Sequence, residues 1–120
     1  MSFKKLSVYQ KAFDLAMEIY RISKKFPKEE TYSLTDQIRR SSRSVSVTIA
    51  ESYRKRKYPA YFVSKASDAD MENSETQVWL DFAYECNYLS ENERNELNSR
   101  SLEIGKMLNH MIENPDKYCK

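Results

Sequence analysis

Glycine occurs once in this chain, at Gly105, and that scarcity constrains the fold more than any other feature. Sheets need many tight turns, and tight turns draw on Gly, Pro, Asn and Asp. One glycine and three prolines do not supply a β-sandwich or a doubly wound sheet. The same scarcity removes the glycine-rich loops that cradle phosphates. At 120 residues the chain holds one domain with one hydrophobic core, and it needs no disulfide or metal staple.

What remains is helix, and the apolar spacing supports four. Val8, Ala12, Leu15, Ile19, Ile22 and Phe26 recur at steps of four and three, predicting a helix over 7–25 with Ser7 as its cap and Pro27 as its stop. Leu34, Ile38, Ser41, Val45, Thr48 and Ser52, widened by Ile49, predict a second over 34–53, capped by Ser33 or Thr35. Its stripe is rich in small residues, so a neighbouring helix can approach closely. Pro59 suits the first turn of a third helix over 59–86 with the stripe Phe62, Ala66, Ala69, Asn73, Thr76, Leu80 and Ala83. Ser90 and Glu93 form a capping box for a fourth over 91–113, with Leu97, Ser101, Ile104, Leu108 and Met111 inward. Short connections force antiparallel neighbours, so the expected fold is an all-α, up-down-up-down antiparallel four-helix bundle in a single domain, residues 1–120.

Composition excludes several kinds of chemistry. One histidine, His110, rules out His-rich metal sites and makes a Ser-His-Asp arrangement improbable. Di-iron bundles carry Glu-x-x-His on facing helices, whereas this chain has Glu72-x-x-Glu75. No metal, no cofactor and no enzymatic activity are expected. Cys86 and Cys119 show no CxxC spacing and read as free thiols, Cys86 as a buried one. No apolar run approaches the ~18 residues of a membrane span, and the first fifteen or so residues are too polar for a secretory signal, so a cytoplasmic location with no membrane partner is expected.

The net charge of +2 conceals a division along the chain. From Arg39 to Lys57 there are seven basic residues (Arg39, Arg40, Arg43, Arg54, Lys55, Arg56 and Lys57) against the single acid Glu51, a local charge of +6. From Asp68 to Glu103, ten acids face two arginines, a local charge of −8. The heptad places Arg39, Arg40, Arg43 and Arg54 on the outward face of the second helix. These seven cations are the candidate nucleic-acid contacts, reading phosphate without sequence preference. Tyr58 and Tyr61 follow them and offer rings for unpaired bases. A solvated face, with cations favoured by the helix C-terminus, explains part of the same run. Glu51 reads as the partner of an arginine. Asp68, Glu72 and Glu75 share one face of the third helix, either as a solvated stripe or as a surface that meets arginines.

Two helices carry more apolar surface than one core requires. Tyr9, Phe13, Ala16 and Tyr20 form a second stripe on the first helix, and Trp79 and Phe82 make the third apolar nearly all round. The surplus is either a wide stripe of amphipathic Tyr and Trp that tolerate partial exposure or, since aromatic patches mark contact surfaces, a subunit interface, and Tyr9, Phe13, Tyr20, Trp79 and Phe82 are the candidate interface of a homo-oligomer. Asn73 and Thr76 interrupt the third helix's seam and need partners, with Ser41, Ser44, Thr48 or a backbone carbonyl as candidates.

Several segments resemble one family. Leu6-Ser7-Val8-Tyr9-Gln10-Lys11-Ala12, Tyr32 to Ser41 with its Gln-Ile-Arg-Arg, Ser44 to Glu51 with its Ile-Ala-Glu, and Glu72 to Gln77 are similar to the bacterial four-helix bundle proteins whose genes lie as intervening sequences in 23S ribosomal RNA genes (S23-like). The likeness covers roughly residues 3 to 112. One departure is Ser52, where the family usually has glycine, so the second helix is expected to run on here. The resemblance implies a ring, typically a homopentamer, and a kinship with retroelement accessory proteins that bind nucleic acid and a reverse transcriptase. It brings no catalytic residues. Among the basic positions, only Arg39, Arg40 and Arg54 match its motif, as nucleic-acid contacts or as cross-subunit ion pairs. The alternative it leaves open is a structural ring scaffold with no nucleic-acid role.

Overall fold

The apolar stripes close on one another as four helices: α1 (Ser7–Ser23), α2 (Leu34–Arg54), α3 (Pro59–Glu85) and α4 (Glu91–Glu113). The computed structural model describes residues 2–119. Neighbours in sequence are neighbours in space, and α4 returns to α1, whereas the diagonal pairs α1/α3 and α2/α4 bring no Cα atoms within 8 Å of each other among the described residues. The result is an up-down-up-down bundle with principal extents of 46 × 24 × 21 Å. No described helix is long and apolar enough to cross a membrane.

The seams of α3 and α4 follow the heptads residue for residue. All seven expected positions of α3 and all five of α4 are buried. The Ser90/Glu93 capping box is formed: Ser90 Oγ accepts from the Glu93 amide, and the Glu93 carboxylate accepts from the Ser90 amide. Asn73 and Thr76 find the partners their burial requires. Asn73 Nδ2 donates to the Ser101 carbonyl at 2.9 Å, Ser101 Oγ donates to Asn73 Oδ1 at 2.8 Å, and the Thr76 hydroxyl bonds Ser41 Oγ at 2.8 Å. Gly105 lies over this layer: a Cβ there would sit 3.3 Å from Asn73 Nδ2. The single glycine therefore keeps room for the buried amide.

The first two helices differ from expectation at their ends. Ser7 is the first helical residue and not the cap, because the turn Phe3–Lys5 runs into α1 through backbone bonds and Leu6 takes the cap position. Helix α1 stops at Ser23, two residues early. The amides of Lys24, Lys25 and Phe26 bond carbonyls three residues back, and this tightening turns Phe26 inward against Tyr88, with ring centroids 5.6 Å apart. Neither Ser33 nor Thr35 caps α2. Glu30 does: its carboxylate accepts from the Leu34 amide at 3.3 Å, from the Ser33 hydroxyl and from Tyr88 Oη at 2.9 Å. Those bonds hold the Glu30 carboxyl below the usual carboxylate range, the Ser33 hydroxyl contributing most. The Tyr88 hydroxyl is pushed up to about 12, chiefly by the same bond to Glu30.

Helix α2 runs one residue further than expected, to Arg54. Ser52 is fully buried and donates to the Phe62 carbonyl at 3.0 Å, tying the end of α2 to the start of α3. Cys86 is exposed, contrary to its expected burial, because α3 ends at Glu85 and Cys86 lies in the turn beyond it.

Candidate functional site

On α1, Tyr9, Phe13, Ala16, Met17 and Tyr20 share one face by steps of four and three. On α2, Arg39, Arg43, Ser46, Val47, Ala50 and Arg54 repeat that pattern. The helices are adjacent and antiparallel, so the two faces lie side by side and form one open groove of about 720 Å³. Phe3, Tyr9, Phe13, Met17, Val47 and Ala50 give it an apolar floor, while Arg43, Arg54, Lys55 and Lys65 supply its cations, with Glu51 the only carboxylate lining it among the described residues. Parts of two sites predicted separately meet in this groove: Tyr9 and Phe13 of the aromatic interface, and Arg43, Arg54 and Lys55 of the basic surface.

The aromatic wall is continuous. Phe3 meets Tyr9 edge-on with centroids 5.1 Å apart, and Tyr9 meets Phe13 at 6.1 Å. Phe13 is 47% exposed, Val47 58% and Tyr61 51%, so the floor presents hydrocarbon to solvent. Beyond its upper end, Tyr20 is half-buried beneath three cations: Lys24 Nζ and the Arg39 guanidinium each lie 4.8 Å from its ring centroid, and Arg43 lies 5.6 Å away. Tyr20 is thus a platform for cations rather than an open contact residue.

The seven basic residues divide by environment. Arg43, Arg54 and Lys55 line the groove, and Lys55 Nζ stands 5.0 Å from the Tyr61 ring centroid. Among the described residues no carboxylate pairs with Arg39, Arg43, Arg54 or Lys55. Arg39 is half-buried and donates from Nε to Ser23 Oγ at 2.8 Å, so it also ties α2 to α1. Arg40 lies 3.8 Å from Asp36, one turn earlier on its own helix. Arg56 folds back, donating to the Tyr53 carbonyl at 2.9 Å with its guanidinium 3.7 Å from the Tyr53 ring centroid. Lys57 is exposed in the turn. Glu51 pairs with Lys65 at 3.9 Å, a lysine of α3 rather than the expected arginine.

Sequence reasoning missed Lys65, Met17 and Val47 in this groove. Lys65 follows Tyr61 by four residues, the spacing that sets two side chains on one face, and that was the available signal. It also missed what the topology collects at this end of the bundle. The start of α1, the α2–α3 turn and the end of α4 share it, so exposed Lys4, Lys5 and Lys117 join the basic turn. The stack of Phe62 on Tyr118, with centroids 5.9 Å apart, secures the C-terminal segment there.

Trp79 and Phe82 lie elsewhere. They contact each other at 5.8 Å and line a second cleft of about 390 Å³ with Leu34, Gln37 and Tyr32, on the opposite flank of α2 and toward the other end. Trp79 Nε1 donates to the Glu75 carboxylate at 3.3 Å. Glu72, beside it, has its carboxyl raised above the usual range, first by burial and then by the charges of Glu75 and Asp68. No described cluster of three or more His, Cys, Asp or Glu side chains is placed to hold a metal ion.

By its architecture the protein is a small all-α four-helix bundle whose α1/α2 flank carries an aromatic, cation-walled groove. The family model of the 23S rRNA-intervening sequence proteins matches residues 4–110, and the chain belongs to that family. It is also similar to the crystal structure of a protein of unknown function from the S23 ribosomal protein family of Bacteroides thetaiotaomicron VPI-5482. That likeness has a TM-score of 0.78 at 27% sequence identity, covering 88% of this chain and 98% of that one. No curated protein matches the chain.

Proposed function

We propose that this is a non-enzymatic nucleic-acid-binding bundle, acting as a homo-oligomer, that holds phosphate through the α1/α2 groove and the basic end beyond it. The observation that supports this most is the groove itself: four cations, and one carboxylate that already has a lysine partner, around exposed aromatic rings. Cations without carboxylate partners repel one another, and an added polyanion relieves that repulsion while releasing its own counterions. Phosphate contacts carry no base information, so binding is expected to be indifferent to sequence. In a cyclic assembly every copy presents the same end to the same side, and weak contacts gain by repetition.

A second reading rests on the opposite flank of α2. The cleft carrying Trp79 and Phe82 is apolar, and α3 nearby bears Glu72 and Glu75, complementary in charge to the groove. A ring in which the groove of one copy receives that flank of the next is the alternative, with five copies implied by the family likeness. Gel shift of the protein with mixed RNA and DNA at low salt, beside light scattering, separates the two. Retardation that weakens about a hundredfold between ~50 and ~200 mM salt supports nucleic-acid binding. An oligomer with no retardation supports the scaffold, and a concentration-independent monomer removes the oligomer from both readings.

A further inference from the structure

The proposed phosphate surface has a floor that phosphate does not use. A duplex offers a protein its backbone and its groove edges, while the faces of its bases are stacked inside. Set on this groove, a duplex would satisfy Arg43, Arg54 and Lys55 and leave Phe13 and Tyr61 covered by nothing apolar. An unpaired strand offers both groups together: phosphates along its backbone, and base faces that stack on aromatic rings whatever their sequence. Phe13 stands on α1 and Tyr61 on α3, each about half exposed, with the cations of α2 in the same groove.

We infer that the groove takes single-stranded nucleic acid in preference to duplex, stacking bases on Phe13 and Tyr61 while Arg43, Arg54 and Lys55 hold the phosphates. This rests on the nucleic-acid reading above and narrows it to one class of ligand. The open floor along α1, from Tyr9 to Met17, is about 12 Å long at 1.5 Å per residue. Each copy therefore engages only a few nucleotides, and strong retention of a strand depends on several copies acting together.

The test uses the full chain, a labelled poly(U) strand and an RNA duplex of the same length, at one low ionic strength. Poly(U) should bind at least about tenfold more tightly than the duplex. Phe13→Ala should weaken poly(U) about tenfold, within the range for loss of one stacked base, and leave the duplex affinity unchanged. Phe13→Trp should restore poly(U) binding and add an emission that poly(U) quenches. Equal binding of strand and duplex overturns the inference while leaving nucleic-acid binding standing. Failure of both probes to bind removes that reading and the inference together. A change of oligomeric state in Phe13→Ala, seen by light scattering, also overturns the inference, because the floor is then covered by a second copy.

Discussion

The layer inside α2, α3 and α4 and the groove outside α1 and α2 both set polar groups among apolar ones, and they use them in opposite ways. Inside, Asn73, Ser101, Thr76 and Ser41 satisfy one another at 2.8 to 2.9 Å. A buried amide or hydroxyl without a partner is costly, so these residues fix how three helices register. Outside, Arg43, Arg54 and Lys55 have no carboxylate partner among the described residues and stand beside exposed rings. Polar groups that bond one another hold the fold together. Charges left open beside hydrocarbon are the ones the proposed function draws on.

The largest expected effect lies on the outer surface. Arg54→Glu combined with Lys55→Glu turns two groove cations into anions. Affinity for poly(U) at about 50 mM salt should fall roughly a hundredfold or more, equally for all sequences. The thermal melt should stay within a degree or two, because both side chains are exposed and neither is in an ion pair among the described residues. A melt lowered by several degrees would break the comparison, showing that the outer charges also hold the fold.

The inner layer should respond the other way. Asn73→Ala removes the donor to the Ser101 carbonyl and the acceptor for its hydroxyl, leaving both buried. The expected cost is about 2 kcal/mol, on the order of 10 °C in the melt. Binding of poly(U) below the transition should be unchanged. Loss of affinity in the folded variant would show that the layer also shapes the groove.

The inner layer was legible in the sequence and the groove only in part, and the reason is geometric. A heptad assigns each residue to a face of its own helix, which was enough to identify the buried stripe of α3, its polar interruptions at Asn73 and Thr76, and Ser41 as one of several candidate partners. Ser101 was placed on the seam but not joined to Asn73, because pairing across helices depends on their relative height. The same blindness separated Tyr9 and Phe13 from Arg43 and Arg54, which sit on equivalent faces of two helices and meet only once the helices lie side by side. Lys4, Lys5 and Lys117 are far from Arg54 in sequence and come to the same end of the bundle only through topology. Glu30 was missed as the cap of α2 because its turn carries no helical period, and its third partner, Tyr88, comes from beyond α3.

One inner residue breaks the rule of mutual satisfaction and sharpens it. Thr35 is buried in the first turn of α2, and its Oγ1 has no hydrogen-bond partner among the described residues. Thr35→Val keeps the shape and removes the orphaned hydroxyl, so stability to urea should rise by about 1 kcal/mol. A fall of that size would mean that the hydroxyl is bonded in solution.

The smallest effects are in pH dependence, where two carboxylates of opposite shift test whether exposure or pairing governs a charge. Glu30 is held below the usual carboxylate range by the Ser33 and Tyr88 hydroxyls and the Leu34 amide. Its ionised form favours the folded state, a contribution present above the unfolded value and lost as pH falls through the lower folded value. Glu72 is raised by burial and by Glu75 and Asp68, so its ionised form opposes folding at neutral pH. That opposition disappears as pH falls through the raised folded value and below the unfolded one. Glu72→Gln should therefore be slightly more stable than the parent at neutral pH, with the difference closing on acidification. Glu30→Gln should be less stable at neutral pH, and its deficit should also close, but at lower pH. Urea titrations across the acid range read both curves. Parallel curves for the two variants would show that neither carboxylate distinguishes the folded state by its charge, and crossing in the reverse order would show that Glu72 has found a cation, as a neighbouring copy's groove would supply.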